Sequence, residues 1–140
     1  MTARMQGMKG AWLPGLLALM LLSFAGCDKA AEAGGVRHLD TSAFQQQMQA
    51  TPGAILLDVR TPGEFSQGHL PQSTLLPVQV LESKAAQALP DKSAPIFVYC
   101  RTGQRSAVAT QMLQSMGYTN VVNMLGGIVK WAGEGKPLTR

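Results

Sequence analysis

The chain has 140 residues, which is enough for one domain and short for two. Its 12 basic and 8 acidic side chains give a formal charge of +4, but two of the basic residues, Arg4 and Lys9, lie near the N-terminus. Beyond residue 26, ten basic side chains face eight acidic ones, a charge of +2, which gives no reason to expect a nucleic-acid partner.

The first 26 residues have the order of a secretory signal. A basic start is followed by an apolar run of 14 residues, 11–24, and no acidic residue appears before Asp28. This run is shorter than the roughly 20 residues that a helix needs to cross a bilayer. We therefore predict a cleaved signal peptide over residues 1–26. A membrane-spanning helix is the alternative.

The end of this signal resembles the lipobox of bacterial lipoproteins, whose cysteine is lipidated and becomes the mature N-terminus. The residues are Phe24-Ala25-Gly26-Cys27, and Phe24 departs from the aliphatic residue usual at that place. The resemblance implies a lipid on Cys27 and an anchored protein in the bacterial periplasm. Asp28 resembles the inner-membrane retention signal of some bacteria, so the inner membrane is expected. A chance cysteine after an ordinary signal peptide is the alternative.

Two cysteines are present, Cys27 and Cys100. If Cys27 carries lipid, Cys100 has no partner in its own chain. A secreted protein with one leftover thiol either pairs with another molecule or uses the thiol chemically. Residues 27–35 are small, polar and end in glycines, which predicts a flexible tether, and the folded domain is predicted over residues 36–140.

Predicted strands and helices alternate along this domain. In chain order they are a helix ending at residue 49 with a cap at 40–42, a strand over 54–59, a weaker strand over 73–76, a helix over 78–89, a strand over 96–99, a helix over 104–116, a strand over 121–124 and a helix from 126. This alternation predicts an α/β fold with a central parallel sheet and helices on both faces. Val108, Met112 and Met116 share one helical stripe, and we interpret the two methionines as core residues.

The segment from Cys100 to Ser106 lies between a buried strand and a helix N-terminus. Ligands of open α/β sheets bind at the carboxyl ends of strands, and the unpaired N–H groups of a helix start favour a thiolate. Gly103 allows successive N–H groups to converge, and the two arginines add positive charge. The predicted anion-binding loop consists of Cys100, Arg101, Thr102, Gly103, Gln104 and Arg105. A buried structural thiol is the alternative reading of Cys100.

Three separated motifs resemble those of the rhodanese family, specifically its single-domain sulfurtransferases. They are Leu57-Asp58-Val59-Arg60 with Glu64-Phe65 and Gly68-His69-Leu70-Pro71, then the loop from Cys100 to Ser106, then Leu125-Gly126-Gly127 with Trp131 and Gly135-Lys136-Pro137-Leu138. The resemblance covers nearly all of residues 36–140. It departs at Gln72-Ser73, where the family usually has small residues such as Gly-Ala.

This resemblance implies a rhodanese-like fold and a two-step transfer of sulfur. The Cys100 thiolate takes the outer sulfur of a donor anion such as thiosulfate and becomes a persulfide. A thiophilic acceptor (cyanide, a thiol or a thioredoxin-like protein) then removes that sulfur. Neither a metal nor an organic cofactor is needed, and a monomer is expected. Arg105 is expected to shape the loop and orient the anion, and Arg101 to guide the donor from solvent.

The other residues of the motifs are expected to support this loop. Asp58, at a strand end, and Ser106 are assigned to holding it in place. Arg60 and Glu64 are interpreted as a structural charge pair with each other, and His69 as a packing residue with no catalytic role.

Two rival functions stay open. The first is a cysteine-dependent phosphatase or arsenate reductase on the same fold, and the second is a non-catalytic sulfur-carrier or binding module. Four residues separate Cys100 from Arg105, one fewer than in cysteine phosphatases. The shorter ring of amides suits a terminal sulfur better than a phosphate, which disfavours the first rival. The intact cysteine and arginines disfavour the second.

Overall fold

A computed structural model of the protein describes residues 35–140. The predicted signal peptide, Cys27 and all of the predicted tether except Gly35 lie outside the described residues. The strands are β1 (Arg37–Leu39), β2 (Ile55–Asp58), β3 (Thr74–Leu75), β4 (Ile96–Tyr99) and β5 (Val121–Met124). The helices are α1 (Thr41–Gln49), α2 (Pro62–Gln67), α3 (Leu81–Ala88), α4 (Gln104–Ser115) and α5 (Gly127–Gly133).

The five strands form one sheet in the order β1-β5-β4-β2-β3, and every pairing is parallel. This confirms the predicted central parallel sheet. Strand β4 lies in the middle and all four of its residues are buried. Its carboxyl end therefore opens between the ends of β5 and β2, which is where parallel sheets place their ligands.

Helices cover both faces of this sheet, as predicted. Successive side chains of a strand point to opposite faces. Ile96 and Val98 of β4 accordingly pack in a cluster with residues of α3 and α4, whereas Phe97 and Tyr99 pack with residues of α1 and α5. The alternation gives the domain two apolar cores, one on each side of the sheet.

Two elements were not predicted from the sequence. Strand β1 has only three residues, too few to show an alternating pattern, and it pairs with β5 at the sheet edge. Helix α2 has no buried residue, so it lacks an apolar stripe. Its start nevertheless carries a capping box, in which Thr61 and Glu64 bond reciprocally, with Pro62 in the first turn. Those three residues are the signal that could have identified the helix.

The helix predicted over residues 78–89 begins later in the structure than the sequence suggested. Val78–Val80 form a 3₁₀ turn, and the α-helix begins at Leu81. The predicted stripe on α4 is also only partly buried. Met112, like Met116 just after the helix, packs against the core, which confirms the interpretation of the methionines, but Val108 is 52% exposed.

The loop that departs from the family pattern is closed by local hydrogen bonds. Gln72 has a φ of 65°, a left-handed conformation that non-glycine residues rarely adopt. The Ser73 hydroxyl donates to the Leu70 carbonyl oxygen at 2.7 Å and accepts from the buried Tyr99 hydroxyl at 3.1 Å. The Tyr99 hydroxyl also accepts from the Leu70 amide at 3.1 Å. Ser73 thus gives the tyrosine hydroxyl a partner that an alanine could not supply.

Candidate active site

Cys100 follows the last residue of β4 and begins the loop that leads into α4. The residue is 0% exposed and belongs to the core cluster on the α3 and α4 side of the sheet. A thiol placed there is at the carboxyl edge of the central strand, as the sequence predicted.

Two donors point at the sulfur of Cys100. The Gly103 amide donates to Sγ at 3.1 Å, and the Ser106 hydroxyl lies 3.4 Å from it. The same hydroxyl lies 3.2 Å from the Gly103 carbonyl oxygen. Because a hydroxyl has one proton, Ser106 donates to one acceptor at a time, and a thiolate is the stronger of the two.

These contacts favour the ionised sulfur. Burial by itself raises the pKa of the Cys100 thiol. Hydrogen bonds from the Ser106 side chain and from the backbone at Ser106, Gly103 and Thr102 outweigh burial, so the pKa lies below its ordinary value. The sulfur is therefore poised as a nucleophile inside an apolar core.

The loop depends on two glycines for its shape. Gly103 has a φ of 98°, and a Cβ there would lie 3.1 Å from the Gly126 nitrogen and 3.2 Å from the Met124 oxygen. Gly127 has a φ of 58°, and its Cβ would come within 2.4 Å of the Arg101 carbonyl group. Neither position can accept a larger residue without moving the loop.

The start of α5 holds the loop from the other side. The Ile128 amide donates to the Cys100 carbonyl oxygen at 2.9 Å, and the Val129 amide donates to that of Arg101 at 3.1 Å. These are N–H groups that a helix leaves unpaired in its first turn. The start of α5 is thus a support for the cysteine loop, a role that the sequence did not reveal.

Arg105 forms a forked ion pair with Glu64. Nη1 of Arg105 donates to Oε2 at 2.8 Å, and Nη2 donates to Oε1 at 2.7 Å. The Arg105 hydrogen bonds, ahead of an opposing effect of partial burial, lower the pKa of Glu64 to about 2. The expectation that Glu64 pairs with Arg60 is therefore wrong, because α2 turns the Glu64 side chain towards α4.

Arg60 pairs with Asp58 instead. Its Nε contacts both carboxylate oxygens at 3.0 Å, its Nη2 donates to Oδ2 at 2.6 Å, and its backbone amide donates to Oδ1 at 2.9 Å. Nη2 of Arg60 also donates to the Gly68 carbonyl oxygen at 2.8 Å. Both side chains are almost fully buried. Asp58 thus fixes the chain as it leaves β2, next to the end of β4, through its contacts with Arg60.

The outer residues of the loop are exposed. The side chains of Arg101, Thr102 and Gln104 face solvent, and that of Arg101 forms no ion pair within residues 35–140. A groove of about 250 Å³ opens beside the loop, and Arg101, Glu64 and Leu138 are among its lining residues. Arg101 thus places on the wall of this groove a positive charge that is unpaired among the described residues.

His69 is a packing residue, as expected. Its ring stacks on Phe65 with a centroid separation of 3.7 Å, and Nδ1 lies 3.0 Å from the Phe65 carbonyl oxygen. Its backbone pairs with that of Thr139 through two hydrogen bonds of 2.9 Å. These contacts fix the ring against α2 and join its backbone to the C-terminal residues. In the part of the chain that the structure describes, no group of three or more His, Cys, Asp or Glu residues could hold a metal ion.

Residues 41–134 match the rhodanese-like domain family. The match covers more than half of the chain and includes β2, the cysteine loop and the start of α5. The chain belongs to the rhodanese-like domain family. The observed architecture is therefore a rhodanese-like fold. It consists of a five-stranded parallel sheet with helices on both faces, and the cysteine loop lies at the carboxyl edge of the sheet.

The relatives point to sulfur transfer. A sulfurtransferase of Allochromatium vinosum is 34% identical over 103 residues, which cover 74% of this chain and 94% of that protein. Thiosulfate sulfurtransferase PspE of Escherichia coli is 37% identical over 70 residues, covering 50% of this chain and 67% of that protein. A rhodanese-related protein of Thermoplasma volcanium has a similar structure, with a TM-score of 0.64 and 29% identity over 74% of this chain and 97% of that one. These relatives support sulfur transfer in general.

Proposed function

We propose that this protein transfers sulfane sulfur from a thiosulfate-type donor to a thiophilic acceptor through a persulfide on Cys100. The observation that carries the proposal is the buried thiol with hydrogen bonds from Gly103 and Ser106 to its sulfur. Such donors stabilise a negative charge on the sulfur without covalent help from a cofactor.

The first half of the reaction loads the cysteine. The Cys100 thiolate attacks the outer sulfur of thiosulfate, a new S–S bond forms, and the bond to the sulfonate sulfur breaks. Sulfite leaves with the electron pair of that bond. The outer sulfur of the persulfide then carries the negative charge, and we expect the loop amides to bind it.

The second half of the reaction removes this sulfur atom from Cys100. An acceptor nucleophile, such as cyanide or a protein thiolate, attacks the outer sulfur of the persulfide. The S–S bond breaks and its electron pair returns to Cys100 as the thiolate. A thiol or thioredoxin-like protein is the acceptor that we propose in the cell, since the reaction needs only a nucleophile that can reach the groove.

Intact mass measurement tests the proposal. Thiosulfate should add one sulfur atom, about 32 Da, to the purified protein, and cyanide should remove it. Cys100→Ser should abolish the addition. A mass shift that survives this substitution would refute the assignment of Cys100, and hydrolysis of an aryl phosphate faster than sulfur transfer would favour a phosphatase.

We also propose that the protein is held at the periplasmic side of a bacterial inner membrane by lipid on Cys27. The support comes from the sequence of the first 28 residues. Within residues 35–140 no helix is long and apolar enough to span a membrane. Each buried CH₂ of an acyl chain contributes about 0.8 kcal/mol, so several chains would anchor the protein firmly.

The anchor is tested by Cys27→Ser with fractionation and fatty-acid labelling. The wild type should be labelled and extracted with detergent. The variant should be unlabelled and either soluble or uncleaved, while sulfur transfer by the released domain is unchanged. An unlabelled, soluble wild type together with normal processing of the variant would contradict the proposal.

A further inference from the structure

Glu64 fills the binding edge of Arg105. The two oxygens of the carboxylate each accept one hydrogen bond from a different terminal nitrogen of the guanidinium, at 2.7 and 2.8 Å. This is the same forked contact that a guanidinium makes with phosphate, sulfate or arsenate. The Glu64 carboxylate therefore occupies the position on Arg105 that a bound phosphate-like oxyanion would take.

Helix α2 fixes the carboxylate independently of Arg105. Oε2 of Glu64 also accepts from the Thr61 amide and from the Thr61 hydroxyl, both at 3.0 Å. These bonds belong to the capping box of α2. Because the helix holds the side chain in place, little is lost in side-chain entropy when Glu64 binds Arg105, and a solute must displace a preorganised partner.

The charges around Cys100 are paired except for one. Asp58 and Arg60 at the end of β2 neutralise each other, and Glu64 of α2 neutralises Arg105 of α4. Arg101 in the loop is exposed and forms no ion pair among the described residues. The loop amides and Arg101 are thus what remains for an incoming anion.

We propose that Glu64 is a specificity-determining residue that occupies the guanidinium fork of Arg105 and so keeps phosphate-like oxyanions from binding over Cys100. Phosphate binding would use several charge-assisted donors, whereas the outer sulfur of a persulfide is a single atom that the loop amides can bind. Sulfite also leaves more easily when no forked contact holds it. The inference deepens the proposed function of the loop and adds a second reason, besides the short spacing, why the site disfavours phosphoryl chemistry.

Glu64→Gln should tighten phosphate binding. Phosphate bound over the loop protects Cys100 from alkylation by iodoacetamide, which gives a binding constant without any sulfur transfer. An amide carries no charge to neutralise Arg105 and offers one acceptor oxygen instead of two, so phosphate affinity should rise by about tenfold. Unchanged or weaker protection in a folded Glu64→Gln protein would overturn the proposal.

Two further variants show whether the gain comes through Arg105. The gain should vanish in the double variant Glu64→Gln/Arg105→Gln, because the fork is then absent. Persistence of the gain in the double variant would overturn the proposal. Glu64→Asp keeps the charge but withdraws the carboxylate by one methylene, so an intermediate gain is expected. This milder change keeps the test decisive if Glu64→Gln does not fold, since an Asp variant without any gain would count against the fork.

Glu134→Gln is the matched control. Glu134 is another paired carboxylate, with Lys130 Nζ at 3.9 Å and Lys136 Nζ at 3.7 Å, and it does not line the groove beside Cys100. The substitution Glu134→Gln removes the same formal charge as Glu64→Gln and should leave phosphate protection unchanged. If it gave an equal gain in phosphate affinity, the gain would be explained by net charge alone, and the proposal would be overturned. If the proposed sulfur transfer fails, thiosulfate will add no mass to the protein. The protection of Cys100 by phosphate is measured without sulfur transfer, so that result can still be interpreted.

Discussion

The inner and outer sides of the cysteine loop differ in burial and in bonding. The inner residues are Cys100, Gly103 and Ser106, and the outer residues are Arg101, Thr102 and Gln104. The inner side is buried and hydrogen-bonded to the sulfur, with α5 bonded to its backbone. The outer side faces solvent. We therefore expect the sulfur chemistry to depend on fixed backbone geometry, and the exposed rim to affect how fast charged donors bind.

The largest effect is expected from changing the support beneath the inner side. Gly127→Ala places a Cβ 2.4 Å from the Arg101 carbonyl group and 2.6 Å from the Cys100 oxygen, at a left-handed φ. The loop must shift, and a displacement near 1 Å in a reacting group costs about 100-fold in rate. We expect kcat/KM for thiosulfate to fall by at least about that factor.

Gly133→Ala is the control for this variant. Gly133 lies in the same helix α5, and a Cβ there meets nothing within 4 Å. Its activity should equal that of the wild type. Full activity of Gly127→Ala would show that α5 does not shape the loop.

The two arginines of the loop should differ when each is changed to alanine. Arg105→Ala leaves the Glu64 carboxylate without its partner beside the loop, so we expect a loss of about 30-fold in kcat/KM. Arg101→Ala removes an exposed charge at the rim, so a loss of about threefold is expected, together with a weaker dependence on ionic strength. Steady-state kinetics with thiosulfate at several salt concentrations measure both. A larger loss for Arg101→Ala would mean that the two roles are reversed.

The Ser106 hydroxyl should act through the ionisation of Cys100. Ser106→Ala removes a donor that stabilises the thiolate, so the pKa of Cys100 should rise. Below the thiol pKa, alkylation by iodoacetamide should slow by about threefold to tenfold, and at high pH the two proteins should react alike. Ser115→Ala is the control, since its exposed hydroxyl makes the same kind of bond to a backbone carbonyl of α4. An unshifted pH profile for Ser106→Ala would remove Ser106 from the site.

Much of the fold could be predicted from the sequence because buried strands are visible as apolar runs. The runs that became β2, β4 and β5 were located to within one or two residues. Strand β1 and helix α2 were missed because neither has a buried apolar pattern of its own. Strand β1 is defined by its pairing with β5 at the edge of the sheet, and helix α2 is defined by its capping box, which is a short polar motif.

The cysteine loop could be predicted from the sequence, but the residues that contact the loop from other parts of the chain could not. Cys100, Gly103 and the position at the end of β4 followed from local sequence. The pairing of Glu64 with Arg105 joins residues 41 positions apart, and the support from α5 joins backbone groups. Composition and spacing carry no information about such contacts, and for this reason Glu64 was assigned to the nearer Arg60.

Rapid-mixing mass spectrometry of the reacting protein tests the central claim most directly. Thiosulfate labelled in its outer sulfur is mixed with the enzyme, the reaction is quenched, and the labelled peptide is mapped before and after cyanide is added. One labelled sulfur should appear on the Cys100 peptide and pass to thiocyanate, each step at least as fast as steady-state turnover. Turnover without label on Cys100, or label that appears more slowly than turnover, would contradict it.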